Sequence, residues 1–190
     1  YPTPTRAEVS DVATAIYDGT DAVMLSAETA IGLYPKESVE MMNKIIEKVE
    51  TDPLYFNINE VRHVKAEKTA EDAITESAKY VARIVSAKAV VTYTTSGSTA
   101  LRAARERPDV PILGISPNLN TARRLALVWG VHCVHTKDAK NFKDMVLKAG
   151  RLAKKEKFAS IGDRVVITAG VPFGHSGATN VLRIASVDRY

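Results

Sequence analysis

The chain has one cysteine, Cys133, in 190 residues. An internal disulfide framework is therefore excluded, and the thiol fits a reducing cytosol, so a cytoplasmic location is expected. No apolar run approaches the roughly 20 residues that a spanning helix needs, and no membrane partner is expected. The opening, Tyr1-Pro2-Thr3-Pro4-Thr5, is neither basic nor greasy, so it does not read as a secretory leader. It lacks an initiator Met, and the chain is expected to begin inside a longer protein. Internal repeats and low-complexity tracts are absent. Aromatic residues make up only 6% and do not interleave with the basic ones.

What remains is ordinary for a globular protein: 45% apolar, 25% charged and a net charge of +4. Two basic clusters stand out, Arg102-Arg105-Arg107 and Arg151-Lys154-Lys155-Lys157. Glu106 and Glu156 interrupt them, so they read as solvated helix faces rather than a nucleic-acid surface.

Thr5-Arg6-Ala7-Glu8 is a capping box, and Val9, Val12, Ala13 and Ile16 then share one helical face. Gly19 suits the left-handed residue after a helix. Ala22 to Leu25 is wholly apolar and reads as a buried parallel strand, followed by a loop from Ser26 to Tyr34. Pro35 opens a helix with its stripe at Val39, Met42, Ile46 and Val49. No period holds over 53–68, which reads as a linker between a first part, 1–52, and a second domain, 69–190. There a helix capped by Thr69 precedes strands at 89–94, 111–116, 131–136, 164–169 and 180–187. Helices at about 99–107, 119–129 and 139–157 separate the first four strands. This alternation predicts an open, mostly parallel five-stranded α/β/α domain. The last connection is too short for a crossover helix, so the last strand should be antiparallel.

Ligands of open α/β sheets sit beyond the carboxyl ends of the strands. Thr94-Thr95-Ser96-Gly97-Ser98-Thr99 lies there, between a strand and a helix. Its hydroxyls, its glycine and the helix-start amides make a phosphate cradle. A second loop, residues 170–180, carries Gly174, His175, Ser176, Gly177 and Ala178 and could close over the first. His132, Cys133 and His135 give a weak metal motif: positions three apart on a strand face opposite sides, so no metal site is expected.

Pro4-Thr5-Arg6-Ala7-Glu8-Val9-Ser10-Asp11-Val12-Ala13 resembles a signature of the pyruvate kinase family. Asp18 to Ser26, Glu28-Thr29-Ala30 and Gly32-x-Tyr34-Pro35 continue it, with Ala27 where the family often has glycine. Thr94-x-Ser96-Gly97, Thr99, Asn118-x-x-Thr121-Ala122-Arg123, Gly162-Asp163 and Gly174-x-Ser176-Gly177-x-Thr179-Asn180 extend the resemblance through the second domain.

The resemblance implies that 1–52 is the last segment of a (β/α)8 catalytic barrel and 69–190 the C-terminal effector domain. The whole enzyme would transfer a phosphoryl group from phosphoenolpyruvate to ADP, giving pyruvate and ATP. Mg2+ (or Mn2+) and K+ would take part, bound outside this chain, and the family is usually a homotetramer. The family's catalytic residues lie on earlier barrel strands, so none is expected here and the chain alone should be inactive. Lys48-Val49-Glu50 resembles the catalytic Lys-x-Glu but sits on a helical pattern. Thr94 to Thr99 and Gly174 to Ala178 would hold the phosphate of an allosteric activator. Members that bind fructose 1,6-bisphosphate often carry basic residues in the first loop and beyond. Here Thr95 and Ser98 are neutral, and Met145 stands where a second-phosphate Arg would be sought. A sugar monophosphate or AMP is thus the expected effector. The alternative from the residues alone is a stand-alone phosphosugar-binding or isomerase-like domain.

Overall fold

The computed structural model describes residues 3–61, 65–173 and 179–188. The chain divides into two compact units, 1–63 and 64–190.

In the first unit, helix α1 (Arg6–Tyr17) starts on the expected capping box. The Thr5 amide donates to Glu8 Oε2 at 2.7 Å, and the Glu8 amide donates back to Thr5 Oγ1 at 3.3 Å. Gly19 follows the helix at φ +84°, the left-handed geometry that favours glycine. Helix α3 (Pro35–Glu50) has Pro35 in its first turn and lies along α1. Lys48 and Glu50 are on this helix, as their spacing predicts. Ile16, Val49 and Tyr55 form the buried centre, with Tyr17, Val23 and Ile46 packed against it.

Two expectations need correction here. Residues 22–25 are not a strand, and among the described residues this unit contains none. Strand geometry needs a ladder partner for its backbone groups, and the local apolar run supplies none. The following loop contains a short helix, α2 (Ala27–Ala30). Residues 53–61 are not irregular linker but helix α4 (Pro53–Val61). Its start signal is Asp52, whose Oδ1 accepts the Leu54 amide at 2.8 Å while its Oδ2 accepts Tyr17 Oη–H at 3.2 Å.

In the second unit, Thr69 caps helix α5 (Ala70–Ile84) by accepting the Asp72 amide. Strands β1 (Ala89–Tyr93), β2 (Ile112–Ser116), β3 (Val131–His135), β4 (Arg164–Ala169) and β5 (Val181–Ser186) form one sheet in the order β3-β2-β1-β4-β5. All pairs are parallel except β4–β5, as the short connection requires. Helices α6 (Ser98–Arg105), α7 (Leu119–Arg124) and α8 (Phe142–Lys155) connect the strands, and α7 continues as one 3-10 turn, Leu125–Leu127.

The two-residue alternation of the strands divides the core. Val91, Tyr93, Leu113, Ile115, Val165 and Ile167 pack with Met145, Ala149 and Ala153 of α8. Val90 and Val166 meet Ala78 and Ala82 of α5 on the other face, where Ile112 meets Ala103 and Ala104 of α6. Met145 is fully buried, and its carbonyl accepts the Tyr93 hydroxyl at 2.8 Å. Position 145 therefore faces the core and not a ligand. The absence of arginine there carries no information about a second phosphate.

Candidate ligand site at the switch point of the sheet

The connections from β1 to β2 and β3 run to one side of β1, whereas β4 lies on the other. The strand order reverses between β1 and β4, and such a reversal opens a crevice beyond the carboxyl ends of the strands. Both sequence-nominated loops begin there, one after β1 and one after β4.

Thr94 to Thr99 form a tight strand-to-helix turn. Gly97 has φ +101°, and its amide donates to the buried Thr94 Oγ1 at 2.9 Å. A side chain at Gly97 would also come within 3.4 Å of Thr121 Cγ2 and 3.5 Å of Leu125 Cδ2. The turn is tied to α7, since Thr121 Oγ1 donates to the Thr95 carbonyl at 3.0 Å and Arg124 Nη2 donates to the Ser96 carbonyl at 3.1 Å. Thr95, Ser96 and Ser98 are exposed, and the Ser96 and Ser98 hydroxyls lie 3.2 Å apart.

The six loop residues therefore divide. Thr94 and Gly97 shape the turn. Thr99, only 5% exposed, pairs its hydroxyl with that of Thr179 at 2.7 Å. Thr95, Ser96 and Ser98 face outward, where hydroxyls and the first amides of α6 can meet an anion.

Thr179 is the described end of the second loop, so its bond to Thr99 joins that loop to the first. Asn180 clips the loop's base: it accepts the Val171 amide at 2.9 Å and donates to the Val171 carbonyl at 2.7 Å. Gly174, His175, Ser176, Gly177 and Ala178 lie outside the described residues.

Sequence reasoning overlooked Arg124. Its signal was the second basic residue after Thr121-Ala122, in the last turn of a helix that starts beside the crevice. Exposed and bonded to the loop, it brings positive charge to a turn whose own side chains are neutral.

A second polar cluster adjoins the loop. Asp72, on α5, accepts Arg102 Nε on Oδ1 and Arg105 Nη2 on Oδ2, each at 2.9 Å, and the Glu67 amide on Oδ2 at 2.8 Å. Arg105 also bonds Glu106, whose side chain is buried. Burial alone would raise the Asp72 pKa. The Glu67 amide, Arg105 and Arg102 together outweigh it and hold the carboxyl below its usual range. Arg107 covers the Trp129 ring at 4.5 Å. The first basic cluster of the sequence is thus turned onto protein partners rather than forming a free cationic face.

Among the described residues, no three His, Cys, Asp or Glu side chains gather to hold a metal ion. His132 Nε2 lies 3.0 Å from Glu156, and His135 Nε2 lies 3.2 Å from the Pro117 carbonyl. Burial pushes the Cys133 thiol up to about 11, which disfavours the thiolate a metal needs. No described helix is long and apolar enough to cross a membrane.

An open α/β domain with a hydroxyl-lined turn at its switch point defines the class. Residues 72–185 match the family model of the pyruvate kinase alpha/beta domain, and residues 1–39 match that of the pyruvate kinase barrel domain. The chain belongs to the pyruvate kinase family. It is 52% identical over 188 residues to a pyruvate kinase of Methylorubrum extorquens, covering 99% of this chain and 39% of that protein. A pyruvate kinase of Agrobacterium vitis is 47% identical, with 98% and 39% covered. A crystal structure of a pyruvate kinase from Cryptosporidium parvum superposes with a TM-score of 0.88 at 32% identity, covering 98% of this chain and 37% of that one. The chain thus spans about two fifths of these relatives' length. The family match displaces the stand-alone phosphosugar-domain alternative.

Proposed function

We propose that this chain is the effector-binding part of an enzyme that transfers a phosphoryl group from phosphoenolpyruvate to ADP, giving pyruvate and ATP. The family supports that reaction, and among the described residues no three His, Cys, Asp or Glu side chains gather to hold its metal ion. Mg2+ or Mn2+ and K+ belong with the reaction, on ligands outside this chain. The chain alone is expected to be catalytically silent. The exposed apolar side chains of the first unit would pack against other barrel elements. The second unit would form a subunit interface of a homo-oligomer, a tetramer by family analogy, in the cytoplasm.

The observation that carries the effector reading is the position of the Thr94–Thr99 turn at the strand-order reversal, with Arg124 bonded to it. Ser96, Ser98 and Thr95 would donate hydroxyl hydrogen bonds to phosphate oxygens, and Arg124 would supply charge. Gly174 to Ala178 would close beside them. With neutral Thr95 and Ser98, one phosphate fits better than two, which favours a sugar monophosphate or AMP. Calorimetric titration of the chain with ribose 5-phosphate, glucose 6-phosphate, AMP and fructose 1,6-bisphosphate tests this. Binding of a monophosphate that Ser98→Glu abolishes supports the reading. Far tighter binding of the bisphosphate overturns the monophosphate preference, and no binding of any of the four overturns the site.

A further inference from the structure

The loop that heads α6 is joined through that helix to the chain entering the second unit. Arg102 and Arg105 are one turn apart on α6, so their side chains project from one face. Both end on the same carboxylate, Asp72, whose side chain is 1% exposed. The same carboxylate accepts the Glu67 amide, in the segment before α5. Asp72 is further fixed because its own amide caps onto Thr69. Glu67, Asp72, Ser98, Leu101, Arg102 and Arg105 line one cleft of about 300 Å³, which runs from the loop to the entering segment.

The helix between them has eight residues, a span of about 12 Å, too short to absorb a displacement by bending. A shift of Ser98 is therefore carried to the two guanidinium groups. Their bonds to Asp72 are charge-assisted and directional, with the carboxylate buried and the guanidinium groups part-exposed, so they resist sliding. A single hydrogen bond from Glu67 then passes the displacement to the backbone of 65–69. Cleft cations left without partners would point to a ligand; here Arg102 is engaged by Asp72, and Arg105 by Asp72 and Glu106, so both guanidinium groups are spent on protein carboxylates.

We infer that Asp72 is a positioning residue: it couples the phosphate-binding turn at the head of α6 to the segment 65–69 that leads into the domain, so that ligand at the turn is felt there. This rests on the effector reading of the turn.

Amide hydrogen exchange by NMR on the chain tests it, with the Gly97 amide reporting the turn, the Glu67 amide the entering segment and the Val91 amide the sheet. Asp72→Asn keeps the shape and removes the charge; Arg102→Gln is the milder second variant. Without ligand, Asp72→Asn should speed exchange at both Glu67 and Gly97 by about tenfold more than at Val91, the scale of one lost charge-assisted bond, the buried Val91 amide reporting whatever stability the whole domain loses. Faster exchange at Glu67 alone, or equal acceleration at all three amides, overturns the coupling. With ribose 5-phosphate, the parent chain should slow exchange at Gly97 and Glu67 together, Asp72→Asn only at Gly97, and Arg102→Gln, which keeps the Arg105–Asp72 bond, should slow Glu67 less than the parent does. Slowing at Glu67 that persists in both variants also overturns it. If ribose 5-phosphate leaves Gly97 unmoved in the parent chain, the effector reading of the turn fails, and the ligand-free comparison decides the coupling.

Discussion

Residues 3–61, and residues 65–173 with 179–188, are built from similar sequence material but reach different degrees of closure. Among the described residues the second unit has five strands, and its sheet is covered by α8 on one face and by α5 and α6 on the other. The first has an equally apolar stretch at Ala22–Leu25 yet no ladder for it, and Met24, Ile31 and Leu33 are 84%, 85% and 87% exposed. An apolar run becomes a buried strand only when neighbouring strands satisfy its backbone and helices cover its side chains. The regularity of one unit and the openness of the other follow from whether an apolar run finds strand partners among the described residues.

The sharpest test of that contrast is a pair of methionine truncations. Met145→Ala, in the closed core, should cost about 2–5 kcal/mol, whereas Met24→Ala should change stability by no more than about 0.5 kcal/mol. Urea titrations of both variants check this, and comparable losses would mean that the first unit is as closed as the second.

Acid should distinguish the units next. The Asp72 pKa is lowered on folding, so its contribution is complete above the ordinary carboxylate range. It is lost as pH falls through the lowered value, below about pH 4. Asp72→Asn should cost about 1–3 kcal/mol at pH 7 and flatten this acid dependence, with a smaller difference from the parent at pH 3. Part-exposed Arg102 and Arg105 place the value toward the lower end.

Ligand binding should be confined to the closed unit. Ser98→Glu puts a carboxylate on the exposed side of the turn and should weaken ribose 5-phosphate binding by at least about tenfold, or ~1.4 kcal/mol. Ser98 is a better probe than Thr99, because Thr99→Glu would break the buried Thr99–Thr179 bond and confuse folding with binding. A local effect is expected at the capping box. Thr5→Ala should cost about 1 kcal/mol and appear as faster amide exchange in α1, leaving β1 unchanged.

Much of this organisation was legible in the chain. Thr5-x-x-Glu8, Pro35 and Thr69 marked helix starts because capping is local chemistry, and β1, β2, β3, β4 and β5 lie where their apolar runs placed them. Asp52-Pro53 carried a readable start signal for α4, passed over because no apolar period followed it. The strand-to-helix turn Thr94–Thr99 was also readable as a turn, since a glycine among short polar residues after a strand is local turn chemistry. Arg124 was harder to see: 28 positions separate it from Ser96, and only the packing of α7 on the turn brings them together. Met145 was misread because a helix position alone does not say which side faces the sheet.

By itself the sequence determined the local events, the caps, turns and strand runs, together with the family signature, because each depends on neighbours a few residues away. Tertiary structure alone decided the strand order that starts both loops at one crevice and the joining of Thr99 to Thr179. It also decided that Asp72 collects Arg102, Arg105 and the Glu67 amide, and that Ala22–Leu25 finds no strand partner among the described residues. These depend on contacts between distant positions, and such contacts exist only once the sheet has fixed where each helix and loop must lie.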